Sequence, residues 1–172
     1  VMIYGYFQSY KYFQENYDII YRLLNIDKMK HELIDNLNLN SNYMDLENTV
    51  SMHFRIGDYK KLQDFHPLAT YEYYESSLEY FKSLHPNKYF NILYFCEDCD
   101  IDDVLSIINK LVNKFPMYNF TRGLNTLEDW QQMLLMSCCH HNIIANSSFS
   151  WWSAYLNSNK DKIVCYPSVW FG

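Results

Sequence analysis

Thr49-Val50-Ser51-Met52-His53-Phe54-Arg55-Ile56-Gly57-Asp58 is the stretch on which the fold turns. A short run of strand-forming residues ends in His53 and Arg55 and stops at Gly57-Asp58. Strands of open α/β sheets deliver ligand-binding groups at their carboxyl ends in this manner. Downstream the pattern alternates. Tyr71 to Leu84 predicts a helix with Tyr74, Leu78 and Phe81 on one face. Asn91 to Cys96 reads as a buried strand that ends at Glu97-Asp98. Ile101 to Phe115 is a second helix, striped by Val104, Ile107, Ile108, Leu111 and Val112. A short strand follows from Met117 to Thr121. Thr126 then caps a helix with Glu128 and Asp129 in its first turn, running to about Cys139. Asn142 to Ala145 is a strand, Ser150 to Asn157 a helix, and Lys162 to Pro167 a last strand. The order β-α-β-α-β-α-β-α-β predicts an α/β fold, a parallel sheet with helices on both faces. Upstream, Phe13, Tyr17, Ile20, Tyr21 and Leu24 recur at helical spacing, so Tyr10 to Leu39 reads as mainly helical. Asn36 to Asn48 is an Asn-rich loop. Residues 1–48 therefore read as the helical tail of a preceding domain plus a linker, and residues 49–172 as the ligand-binding domain.

The bulk composition suits this picture. A chain of 172 residues that is 49% hydrophobic and 20% charged can bury a real core. It is rich in aromatics, with 17 Tyr and 11 Phe, and Tyr combines apolar area with a polar tip. The net charge of −6 argues against a binder of nucleic-acid backbones, which needs a basic face. No apolar run reaches the ~20 residues of a membrane-spanning helix. The opening Val1-Met2-Ile3-Tyr4 is neither a signal peptide nor a natural N-terminus, which suggests a piece of a longer chain. Five cysteines, two of them adjacent, read as reduced thiols rather than a disulfide framework. Cys96-x-x-Cys99 with Cys138-Cys139-His140-His141 lacks zinc-site spacing, so no metal is expected there. Reduced thiols and the lack of an anchor predict a cytoplasmic bacterial or viral protein. A membrane or Golgi-lumen location would require an anchor in a preceding segment.

The candidate site residues gather at the strand ends. The first strand gives His53, Arg55 and Asp58, the second gives Glu97 and Asp98, and the fourth gives Asn146, Ser147, Ser148 and Phe149. Asp129 stands at a helix start. A guanidinium donates two parallel hydrogen bonds and stays charged, which suits a diphosphate. A run of hydroxyls before a helix offers free N–H groups to an anion. Asp129 could accept two donors from a guanine edge. The set therefore predicts a nucleotide-diphosphate pocket, without the Gly-rich loop of dinucleotide folds or the lysine loop of NTPases. Plainer readings remain beside it: a surface ion pair for Arg55, a satisfied structural histidine for His53, a helix cap for Ser147 and Ser148, and core packing for Trp151-Trp152.

His53-Phe54-Arg55-Ile56-Gly57-Asp58-Tyr59 resembles the His-x-Arg-x-Gly-Asp-Tyr motif of the α-1,2-fucosyltransferases, glycosyltransferase family 11. Gly5-Tyr6-Phe7-Gln8-Ser9, Asn142 through Trp152 and Pro167-Ser168-Val169-Trp170-Phe171 are similar to further motifs of that family, in the same order. Two features depart from it. The family's Gly-rich segment containing Gly-Asn-Gln, normally well before the His-x-Arg motif, is not in this chain. The second strand ends Cys96-Glu97-Asp98 where the family more often has Ser-Asp-Asp.

The resemblance implies a GT-B-type glycosyltransferase, with a Rossmann-like donor domain at 49–172 and a remnant of the N-terminal, acceptor-side domain before it. It implies transfer of L-fucose from GDP-fucose to a hydroxyl of an acceptor oligosaccharide, the 2-OH of galactose, with inversion and with no metal or other cofactor. His53 and Arg55 would hold the diphosphate, Asp129 the guanine and Asp98 the nucleoside, while Ser147, Ser148 and Phe149 would line the nucleotide. Asp58 and Asp64 lie in the right region for a general base; Asp58 could equally orient His53 or brace the Gly57 turn. Two rival readings stay open: a transferase for another GDP-sugar or acceptor position, and a non-catalytic nucleotide- or glycan-binding module.

Overall fold

Residues alternate in direction along the first strand, β1 (Thr49–His53), and the two faces of the sheet sort accordingly. Val50, Met52 and, just beyond, Phe54 enter one core; Ser51 and His53 turn to the other side. The same sorting holds in β2 (Asn91–Phe95), where Ile92 and Tyr94 join the first core and Leu93 and Phe95 the second. This computed structural model describes residues 9–39 and 45–171. Most of the Gly5–Ser9 motif and the middle of the Asn-rich loop therefore lie outside the described residues.

With β3 (Asn119–Arg122), β4 (His141–Ile143) and β5 (Val164–Cys165), the strands form one parallel sheet in the order β3-β2-β1-β4-β5. The chain winds outward from β1 through β2 to β3, crosses back, and winds the other way through β4 to β5. The helices α3 (Tyr71–Leu84) and α4 (Ile101–Lys114) cover one face with Tyr74, Leu78, Phe81, Val104, Ile108 and Leu111. The helices α5 (Asp129–Cys138) and α6 (Ser148–Leu156) cover the other, with Leu134, Leu135, Met136 and Leu156 in its core. An α/β, Rossmann-like sheet wound in both directions results, as the alternation predicts. Its order reverses between β1 and β4, and that is where ligands bind in such sheets.

Before the sheet, the helical stretch is not continuous. Two 3₁₀ turns (Tyr10–Tyr12 and Gln14–Asn16) lead into α1 (Tyr17–Leu23), and α2 (Ile26–Leu39) follows. The break falls at Asn25, whose φ of 53° is left-handed. Asparagine tolerates that region, and apolar spacing alone does not reveal it. Ile26, Leu33 and Leu37 of α2 pack into the same core as α5.

Several boundaries shift. α6 begins two residues earlier than the apolar pattern suggests, at Ser148, with Ser147 as its N-cap. Thr126 is not the cap of α5. Glu128 is: its side chain accepts the N–H of Gln131, and Gln131 Oε1 accepts the Glu128 N–H at 2.9 Å. A glutamate cap with a glutamine at N3 closes the same reciprocal box that threonine would. All five cysteines are free thiols. No helix among the described residues is long and apolar enough to cross a membrane.

Candidate functional site

The His-x-Arg spacing puts both side chains on the α6 side of the sheet, because strand residues two apart share a face. His53 ends β1, and its carbonyl is fixed by the Tyr74 hydroxyl at 3.0 Å. Its ring lies 5.4 Å from that of Phe149. The imidazole is 7% exposed, and its Nδ1 has no hydrogen-bond partner. Burial, helped by the charge of Arg55, lowers its pKa to about 3, so the ring is neutral over the physiological range. His53 is thus not a satisfied core histidine. A buried polar atom without a partner costs about 1–3 kcal/mol, and a ligand can repay it.

Arg55 leaves the strand end with its guanidinium held by two carboxylates. One amino group pairs with Glu97, and the other donates to Asp58 at 2.7 Å. The guanidinium carbon also lies 5.3 Å from the centre of the Tyr59 ring. Asp58 therefore braces Arg55. It does not orient His53, and the Gly57 N–H donates to Asp100 at 2.7 Å, so Asp100 holds that turn. At the end of β3, Arg122 donates to Asp98 at 2.5 Å. Sequence reasoning passed over Arg122, although its position at a strand's carboxyl end was the same signal that singled out Arg55.

The loop after β4 is anchored from three sides. Asn146 donates through its side-chain amide to the carbonyls of Pro67 (2.8 Å) and Trp170 (3.3 Å), while its backbone carbonyl accepts the Tyr59 hydroxyl at 3.2 Å. This fixes Ser147 at the head of α6. Ser147 makes no side-chain cap bond, so its hydroxyl and the first helical N–H groups stay free for a ligand.

These groups surround a cavity of about 690 Å³. His53, Arg55, Asp98, Asp129, Ser147 and Phe149 all line it, together with Glu97. The fold thus brings seven of the ten candidate residues, Glu97 among them, into one pocket at the sheet's reversal. Asp58 reaches it only through Arg55. Ser148 lines a different cavity on the other side of the helix start. Among the described residues, one group of three, Glu97, Cys99 and Asp100, has potential metal-ligand atoms within 4.8 Å of one another. The paired Cys96/Cys99 and Cys138–His141 pattern forms no such group.

The family model for glycosyl transferase family 11 matches residues 2–169. The chain belongs to glycosyltransferase family 11. This family 11 chain is 32% identical over 173 residues to the O-antigen biosynthesis glycosyltransferase WbnK of Escherichia coli, with 98% of this chain and 55% of that protein covered. It is 33% identical to an alpha-1,2-colitosyltransferase of the same species, covering 97% and 55%. The chain thus spans about half the length of these curated relatives. Among solved structures, a family 9 glycosyl transferase from Veillonella parvula matches 81% of this chain and 40% of its own, with a TM-score of 0.48 and 11% identity.

Neutral buried histidines leave a mark on stability. His141 also has its pKa pushed down, to about 4, chiefly by burial, and its Nδ1 accepts the Ile163 N–H at 3.1 Å. In the unfolded chain both rings titrate near 6.5. Between pH 6.5 and the folded values the unfolded state binds more protons, so stability rises with pH across that window. The contribution is complete above pH 6.5 and drains away as pH falls through it, by about 2 kcal/mol per ring at pH 5. Urea unfolding at pH 7.5 and pH 5 should show a lower midpoint at pH 5, and a smaller gap in His141→Gln. An unchanged gap in that variant would refute the assignment.

Proposed function

We propose that this chain is the nucleotide-sugar-binding part of an inverting, metal-independent transferase that moves L-fucose from GDP-fucose to the 2-hydroxyl of a galactose in an acceptor glycan. The proposal places it as the donor half of a GT-B enzyme, preceded at residues 1–48 by part of the acceptor-side domain. The observation that carries the reading is the buried His53 Nδ1 with no partner, in one cavity with Arg55 and the open start of α6. A neutral imidazole N–H, a guanidinium and helix N–H groups together suit a diphosphate.

Asp129, in the first turn of α5 on the pocket wall, would accept the guanine N1–H and amino group. Asp98 would meet the ribose, and Phe149 would pack on the nucleotide. In the reaction the acceptor oxygen forms a bond to the anomeric carbon as the bond from that carbon to the diphosphate oxygen breaks. The hydroxyl proton passes to a carboxylate, and GDP leaves with the electron pair. Arg55 and the α6 N-terminus would meet the charge growing on the diphosphate, the electrostatic task a metal performs elsewhere. Asp58, occupied by Arg55, would act as a positioning residue, which leaves Asp64 as the other candidate for the base.

The colitosyltransferase relative favours one specific variant of this reading, a donor with the sugar colitose, which is fucose without its 3-hydroxyl. Calorimetric titration of the chain with GDP, GDP-fucose and UDP, in the absence of metal, tests the nucleotide. Micromolar binding of both guanine ligands and none of UDP is expected. Equal affinity for UDP, or no GDP binding by a folded chain, would sink the proposal. Competition between GDP-fucose and GDP-colitose then separates the two donors.

A further inference from the structure

Glu128, Asp129, Gln131 and Gln132 bring four polar side chains to the start of α5. Glu128 and Gln131 serve the helix itself, because they close the reciprocal box at its N-terminus. Asp129 and Gln132 take no part in that box. They stand three residues apart, a spacing that makes side chains neighbours on a helix surface. Both line the cavity that also holds His53 and Arg55.

Gln132 is oriented by a bond of its own. Its Nε2 donates to the Leu127 carbonyl at 3.0 Å. A carbonyl oxygen only accepts, so this contact settles which end of the amide is nitrogen. Leu127 lies in the turn before the helix, where its own N–H donates to the Leu124 carbonyl at 3.3 Å. The amide nitrogen is thus directed back toward the turn. That leaves Oε1, an acceptor with two lone pairs, as the atom this side chain offers a ligand. Beside it is the Asp129 carboxylate, which also accepts only when ionised.

Two neighbouring acceptor groups select a base by the hydrogens it can donate. One edge of guanine carries N1–H and the two hydrogens of the 2-amino group. Hypoxanthine keeps N1–H and lacks the amino group. Adenine presents a bare N1 there, and uracil presents a single N–H between two carbonyls. A carboxylate that spans N1–H and one amino hydrogen leaves the other amino hydrogen without a partner. An amide oxygen one helical turn further on can supply it.

We propose that Gln132 is a specificity-determining residue of the donor site, its Oε1 accepting the second hydrogen of the guanine 2-amino group. The inference rests on the guanine-nucleotide reading above, with Asp129 on the base, and extends it: the site reads the amino group as well as the ring.

Inosine diphosphate is GDP without that amino group, so calorimetry with the two nucleotides isolates the contact. The parent should bind GDP more than about tenfold tighter than inosine diphosphate, and Gln132→Met, of similar shape, should cut that ratio about fivefold. The fall should come from weaker GDP binding, with inosine diphosphate nearly unaffected. A residue that merely held the Leu127 turn would weaken both nucleotides alike. Gln132→Glu gives up the bond to Leu127 but keeps an acceptor, so it should retain the preference for GDP. Equal binding of the two nucleotides by the parent would overturn the inference, and so would an unchanged ratio in Gln132→Met. In either case GDP binding with UDP rejected would leave the donor reading standing. Failure of a folded parent chain to bind any of the nucleotides would remove the donor reading and the role of Gln132 together.

Discussion

Arg55→Ala is expected, on the proposed donor reading, to lower the rate of sugar transfer by about 10²–10³-fold, the usual effect of removing a preorganised donor to developing charge. The loss is compounded by what remains. Without the guanidinium, Glu97 and Asp58 lose their partner at the mouth of the cavity. An incoming diphosphate then meets two uncompensated carboxylates, so GDP affinity falls as well as turnover. Arg55→Lys keeps the charge but loses the fork and should recover little. The check is a transfer assay beside calorimetry with GDP, wild type against both variants. Arg55→Ala with wild-type turnover and GDP affinity would remove Arg55 from the donor site.

The largest effect on stability is expected at a residue that never touches the pocket. Asn142, at 0% exposure in the middle of β4, spends every polar atom of its side chain. Its amide nitrogen donates to the Ser51 hydroxyl (2.8 Å) and the Met136 carbonyl (2.9 Å). Its carbonyl accepts from Asn157 at 2.8 Å. One side chain therefore ties β1, the end of α5 and the end of α6 to β4. Asn142→Ala leaves several buried groups short of partners, at about 1–3 kcal/mol each where water cannot replace them. The expected loss is about 2–4 kcal/mol, which moves a urea midpoint down by ~1–2 M. Asn142→Asp removes the two donors and buries a charge, so it should do no better. A midpoint equal to the parent's would show that the network carries no stability.

The contrast between these residues marks what the sequence could disclose. Period-2 and helical apolar patterns are local, so the alternation of strands and helices could be read directly; Tyr71–Leu84 is a helix with the expected ends. The rule that ligand groups sit at carboxyl strand ends pointed to His53, Arg55 and Ser147, and the fold gathers these three around one cavity. Three-dimensional partnerships were not legible. Nothing in the sequence tells that Glu97 faces Arg55 across 42 positions, or that Asn142 reaches Asn157. The left-handed Asn25 hides inside an uninterrupted apolar rhythm. Trp151-Trp152 looks like core in one dimension because adjacent aromatics on a helix usually are, and only the placement of Tyr155 and Trp170 makes a wall of them.

Arg55, on the pocket wall, rests against Glu97 and Asp58, and Arg122 rests against Asp98, another residue of that wall. The charge of these guanidiniums is therefore balanced within the protein. On the proposed donor reading, capture of a diphosphate would be a replacement reaction in which these carboxylates give way, and affinity would be the difference between two ionic partnerships instead of the full strength of one. Added salt loosens the residents as well as the newcomer. A single phosphate, with one centre of charge, would then compete less well with the carboxylates flanking Arg55 than a diphosphate with two linked centres. With Arg55 and Arg122 so occupied, the site would be a poor trap for stray anions.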